Sequence, residues 1–258
     1  MAITFDTNSA AASFSQNVGS FNWSHAGGSP KGVIVFTFTL AELGILGGDN
    51  VTSVTYGGSS LTTASAGAWR AESINTPSSN ELDCKVWFLG SNVPTGTQTI
   101  TVNRTNNSLK VWAAAVTVNS SQNSDIHSSV VLAQNSEALP VSEQSVTDGD
   151  SGTGNSMRVA GIICELGIFS TFLDDPITFN TLYPGGNSTY RNGFDFGNAV
   201  AMTVTETTTG TGSRSIGFAG DTSIQAAVYV AIKDVLGGTT SKVIKDLIGG
   251  LGIIPFAR

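Results

Sequence analysis

The chain has 258 residues, of which only 12% are charged; 12 Lys and Arg against 19 Asp and Glu leave a formal charge of −7 and a pI of about 4.7. Ser (31), Thr (30), Asn (18) and Gly (30) dominate instead, while 40% of the residues are hydrophobic. This excludes a helical bundle, which needs abundant Ala, Glu, Lys, Leu and Arg. It also excludes a phosphate-reading nucleic-acid binder, which needs a basic surplus, and a disordered chain, which lacks apolar residues.

The N-terminus, Met1-Ala2-Ile3-Thr4-Phe5-Asp6-Thr7, alternates as a strand does and has neither the basic region nor the apolar run of a secretory signal. No stretch reaches the ~18 apolar residues that cross a membrane. The expectation is a product made in the cytoplasm without a signal peptide and released by another route, such as lysis. Phe21-Asn22-Trp23-Ser24-His25 closes an aromatic strand. Strand signals then recur at Gly32–Leu40, Val51–Tyr56, Leu82–Leu89, Thr97–Asn103 and Leu109–Val118, separated by Gly, Asn, Ser and Pro clusters. In Thr97–Asn103, Ile100 and Val102 point one way and Thr99 and Thr101 the other. Asn119–Asn155, with polar clusters at both ends and two candidate strands between them, reads as a loop-rich crossover. The second half adds strands at Met157–Glu165, Ala199–Thr207, Ser213–Ala219 and Ile224–Val235. Ala113-Ala114-Ala115 and Ala226-Ala227 are apolar on successive residues, so their strands are expected to be central and covered on both faces.

The halves echo one another in order. An apolar strand is followed by a turn carrying Tyr and Gly-Gly, then a Gly-Thr turn into an alternating strand, then an Ala-rich strand. The fold expected is all-β: an antiparallel β-sandwich, jelly-roll or immunoglobulin-like, over residues 1–236. It has pseudo-repeated halves at about 1–120 and 156–236 and a C-terminal apolar arm at 237–258. The arm begins after Gly237-Gly238 with a capped, helically spaced stretch and ends in a Gly-broken apolar tail. A free apolar tail frays, so Leu247, Ile248, Leu251, Ile253, Ile254 and Phe256 are expected to dock on the same domain or on a neighbouring subunit.

No residue pattern reaches the standard of a catalytic, cofactor or metal motif. Gly149-Asp150-Ser151-Gly152 copies part of a serine-protease turn, but Thr153 follows it and His127 is the sole nearby base, outside the expected context. The same stretch lacks the closing Glu of a calcium loop, and Asp174-Asp175 reads as a solvated turn. Cys84 and Cys164 lie in apolar runs and read as buried thiols, with one long-range disulfide as the alternative. His25, at the end of the aromatic strand, reads as a hydrogen-bond donor to a loop rather than a catalyst. Trp87 and Trp112 read as core, which leaves Trp23 and Trp69 as candidate glycan contacts.

Val51-Thr52-Ser53-Val54-Thr55-Tyr56-Gly57-Gly58-Ser59-Ser60-Leu61-Thr62, Val86-Trp87-Phe88-Leu89, the strand Pro94–Val102 and the two Ala-rich strands together resemble virion structural proteins of tailed bacteriophages. The resemblance spans residues 2–235 and is one of strands and turns. It implies a sandwich used for building or binding and carries no active-site residue onto this chain. The expected function is a non-enzymatic capsid decoration (cement) or tail/fibre component of the virion, forming homo-oligomers and contacting a major capsid or tail protein. The alternative is a carbohydrate-binding or adhesin module recognising a surface glycan.

Overall fold

The computed structural model describes residues 3–13, 19–41, 50–63, 70–75, 80–105, 109–120, 126–128, 135–137, 144–148, 156–166, 188–197, 199–208, 212–216 and 222–234. Among these there is no helix. The strands are β1 (Ile3–Ser13), β2 (Ser20–His25), β3 (Gly32–Ala41), β4 (Val51–Tyr56), β5 (Ser59–Ser60), β6 (Arg70–Asn75), β7 (Asn80–Leu89), β8 (Gln98–Arg104), β9 (Lys110–Ser120), β10 (Ile126–Ser128), β11 (Asn135–Glu137), β12 (Gln144–Asp148), β13 (Ser156–Leu166), β14 (Ser188–Asp195), β15 (Ala199–Thr208), β16 (Gly212–Ile216) and β17 (Thr222–Asp234). All pairings among the described strands are antiparallel, as in the sheets of a β-sandwich.

A five-stranded sheet in the order β1-β9-β3-β7-β6 lies at the centre. One of its faces contributes Ile34, Phe36 and Phe38 of β3, Leu82 and Val86 of β7 and Trp112 of β9 to a core shared with β13, β15 and β17. Those strands belong to a second sheet, β10-β17-β13-β15-β14, in which β11 also pairs with β17. The opposite face packs Val33, Val35, Trp87, Val111, Ala113 and Ala115 against Val54, Tyr56, Ile100 and Val102. These last come from a third sheet, β2-β8-β4-β5. The remaining pair is β12-β16.

The Ala-rich run of β9 is explained by this layering. Ala113 and Ala115 enter one core and Ala114 the other, all fully buried. A strand dry on both faces has no reason to alternate, so period two gives way to a continuous apolar run. Trp87 and Trp112 enter opposite cores, as their apolar surroundings predict. Ala226 and Ala227 of β17 are likewise both buried. The stretch expected as a crossover contributes β10 and β11 to the second sheet and β12 to the β12-β16 pair, so it is built into the sheets. β6 and β14 had no strand signal in the sequence; among the described residues both are edges, with a sheet partner on one side only.

Two glycines shape the packing. The β4–β5 hairpin turns on Gly57 and Gly58, with φ of 56° and 82°. Positive φ at both central residues is the type I′ geometry that matches strand twist and that glycine adopts without strain. Gly161 of β13 lies under the Phe36 ring: a Cβ there would sit 2.3 Å from Phe36 Cδ1. Phe36 is fully buried, so its ring can yield only by displacing the core side chains around it. Gly161→Ala is therefore expected to cost about 2 kcal/mol or more by overpacking, read as a lower urea midpoint. Adding Phe36→Leu should recover part of the loss. An unchanged midpoint for Gly161→Ala would refute this account of the close approach.

Candidate functional site

Among the described residues, a buried polar constellation lies where β1 and β9 of the central sheet meet β2 of the third sheet. The β1–β9 ladder slips between Phe5 and Thr7, which makes Asp6 the extra residue of a bulge. A bulge re-aims the side chain it carries. Here the Asp6 carboxylate accepts from Thr117 Oγ1 at 3.2 Å and from Asn119 Nδ2 at 3.2 Å. His25, at the end of β2, is fully buried. Its Nδ1 lies 2.6 Å from Ser9 Oγ and its Nε2 3.2 Å from Thr117 Oγ1. The Trp23 indole nitrogen donates to the same Ser9 Oγ at 2.7 Å.

The direction of these bonds follows from the inventory of donors. Thr117 Oγ1 faces two groups that can only accept, Asp6 Oδ2 and the Thr7 carbonyl, so its one hydrogen goes to them and it accepts from Nε2–H; Nδ1 is left to accept the Ser9 hydroxyl, whose oxygen also accepts the Trp23 indole N–H. His25 is then the Nε2–H tautomer and donates to Thr117, which donates to Asp6 Oδ2, or to the Thr7 carbonyl at 3.3 Å. The result is a one-way chain from Trp23 through Ser9, His25 and Thr117 to Asp6. Burial lowers the His25 pKa to about 4, opposed by the Asp6 charge, so the imidazole is neutral at pH 7. Tyr56 stands edge-on to the imidazole with ring centroids 5.9 Å apart. Its buried hydroxyl meets no hydrogen-bonding atom of the described chain, and burial raises its pKa.

A serine hydroxyl on an imidazole is the core of a nucleophilic site, so its chemistry has to be weighed. A base of pKa about 4 is far from the value near operating pH that proton abstraction favours. The second imidazole nitrogen faces a threonine hydroxyl, so the carboxylate acts through a relay and does not orient the ring directly. The Ser9 oxygen also carries the Trp23 N–H, which reduces its nucleophilicity. The arrangement is suited to fastening β1, β2 and β9 together, each neutral hydrogen bond contributing roughly 0.5–1.5 kcal/mol net.

Three of the described cations are used in the same structural way. Arg104 is buried and donates to the Leu109 carbonyl at 3.0 Å and Ser13 Oγ at 3.2 Å. Lys85 donates to the Val51 carbonyl at 3.2 Å and lies 4.4 Å from the Trp87 ring centroid. Arg191 of β14 stacks 3.5 Å above Phe5 of β1 and donates to Thr205 Oγ1 at 2.7 Å. Asn8 joins the same two edges through the Arg191 carbonyl and Asn192 Oδ1.

Of the residues singled out by sequence, Trp23 is half-buried, stacked on Phe21 at 6.1 Å and tied to Ser9. His25 ends the aromatic strand where the sequence places it and serves as a hydrogen-bonding residue, but it is fully buried, with β1 and β9 closing over it. Cys84 and Cys164 are both buried and free, which settles the disulfide alternative. Trp69, Asp150, Ser151, Asp174, Asp175 and the arm residues Leu247, Ile248, Leu251, Ile253, Ile254 and Phe256 lie outside the described residues. Among the described residues no group of three His, Cys, Asp or Glu is placed to hold a metal ion, and no helix is long and apolar enough to cross a membrane. Asp6, Ser9 and Thr117 had no sequence signal, because a Ser, a Thr and an Asp in a Ser/Thr-rich chain are ordinary until β1, β2 and β9 bring them together. No family model, curated protein or solved structure matches this chain.

Proposed function

We propose that this protein is a non-enzymatic virion structural component, a capsid decoration or tail/fibre protein that joins subunits through many modest contacts. The observation that carries the reading is strand order. β1-β9-β3-β7 packs against β2-β8-β4-β5, and we read this as the two interleaved Greek keys of a jelly roll, an architecture used in viral capsid and lectin domains. The second sheet repeats the order: β11-β17-β13-β15-β14 corresponds to β1-β9-β3-β7-β6, and β12-β16 to β2-β8. We read the chain as two such units stacked through their larger sheets. Support also comes from the chemistry of the polar groups, since the Ser–His pair and the buried or stacked cations are occupied in holding strands together. A low-charge surface loses little when neighbours cover it, because few ions need desolvation.

In this reading the arm at 237–258 reaches a neighbouring subunit, and many copies sum weak contacts across a symmetric particle. The expected result is that the protein is found by mass spectrometry in purified particles, and that a chain lacking 237–258 binds those particles at least tenfold more weakly. Absence from the particle, or binding indifferent to the deletion in a chain that is otherwise a plain monomer, would overturn the reading.

A further inference from the structure

A sheet edge exposes unpaired backbone donors and acceptors and invites another strand, so folded proteins guard their edges with charge, proline, bulges or brevity. Most edges among the described residues are guarded. β1 carries the Asp6 bulge, and β14 slips between Tyr190 and Asn192 beside Arg191. β5 has two residues and β10 and β11 have three each. β6 bears Arg70 and Glu72, β12 bears Asp148 and β16 bears Arg214. β2 is the exception. Its six residues, Ser-Phe-Asn-Trp-Ser-His, hold no proline and no formal charge, since His25 is neutral. Its register with β8 runs from Ser20–Asn103 to His25–Gln98 without a slip. Among the described residues, no strand adds to its other side.

We propose that β2 pairs antiparallel with β2 of a second copy about a two-fold axis, joining two four-stranded sheets into one of eight. A two-fold sets a strand against itself, so each group must be compatible with its own kind. Ser20, Asn22 and Ser24, the outward residues, are each donor and acceptor and meet that condition. Their ladder partners Thr99, Thr101 and Asn103 continue the same neutral chemistry across the sheet. The chain as a whole carries −7, which opposes the approach of copies elsewhere; at this edge no like charges face one another. On the inward side, the half-buried Phe21–Trp23 stack offers apolar surface for a partner strand to cover. This contact does not rest on the virion reading, and particle membership is tested separately above.

The test is sedimentation velocity of the full chain from about 1 µM to about 1 mM, the range suited to a contact well below standard interface size. The expected result is a monomer–dimer equilibrium in which amide exchange across Ser20–His25 slows with concentration while Ile100 and Val102 stay unchanged. Asn22→Lys and Ser24→Lys, at exposed positions, should weaken the dimer at least tenfold without lowering the melting temperature. Ser60→Lys on the far edge of the same sheet should leave the dimer intact. A monomer at every concentration, a dimer indifferent to the lysines, or protection falling elsewhere would overturn the proposal. Protection of β2 in whole particles together with a monomeric free chain would assign the edge to a strand of another protein, and so would also overturn it.

Discussion

Trp112→Ala is expected to lower the free energy of unfolding by about 3–5 kcal/mol, a large part of what a domain possesses. Trp112 is among the largest fully enclosed side chains. It stacks on Phe38 of the neighbouring strand at 4.9 Å and on Phe194 of the facing sheet at 5.8 Å, and Phe194 meets Phe196 edge-on at 5.1 Å. The indole thus links the central sheet to the second sheet within one core. Removing it forfeits the transfer term and leaves a cavity that two packed sheets cannot collapse. The measurement is urea unfolding, with a lower midpoint at unchanged slope. A loss below about 1.5 kcal/mol would mean that the two sheets are not held together there. Trp23→Ala, at a half-buried edge position, should cost less.

Acid is expected to destabilise the protein through His25 in a defined window. Burial depresses the folded pKa to about 4, against 6.5 for an unperturbed histidine. The unfolded chain therefore binds the proton more readily than the folded one. Stability from this group is complete above pH 6.5, falls as the pH drops towards 4 and levels off below. The shift corresponds to roughly 3 kcal/mol in all. The physical event is protonation of Nδ1, which then has to donate where it had accepted the Ser9 hydroxyl, inside a site that excludes water. Stability curves of the wild type and His25→Gln, measured from pH 7.5 to 3.5, isolate the effect, since the carboxylates titrate in both. The wild type should lose about 3 kcal/mol more than the variant. Parallel curves would refute the account of a buried neutral imidazole.

How much of this was legible in the sequence depends on the range over which each feature is specified. The double coverage of β9 was readable from three consecutive alanines, because burial on both faces suppresses alternation locally. The Tyr56-Gly57-Gly58-Ser59 turn was readable because positive φ demands glycine. The core positions of Trp87 and Trp112 followed from their apolar neighbours. β6 and β14 were not readable, since an edge strand with polar residues carries little periodicity. The Ser9–His25–Thr117–Asp6 chain was not readable either. His25 and Thr117 are separated by 92 residues and Asp6 and Thr117 by 111, and nothing local distinguishes them from other members of a Ser/Thr-rich chain.

The amino-acid sequence by itself determined the all-β class, the positions of most strands and the neutral polar surface, because side-chain periodicity and turn chemistry act within a few residues. The tertiary structure alone decided which strands are neighbours, that the central sheet is buried on both faces, that Asp6 bulges towards His25 and that, among the described residues, no strand adds to the outer side of β2. An apolar strand face is compatible with many partners, and only the simultaneous closing of all the sheets selects one.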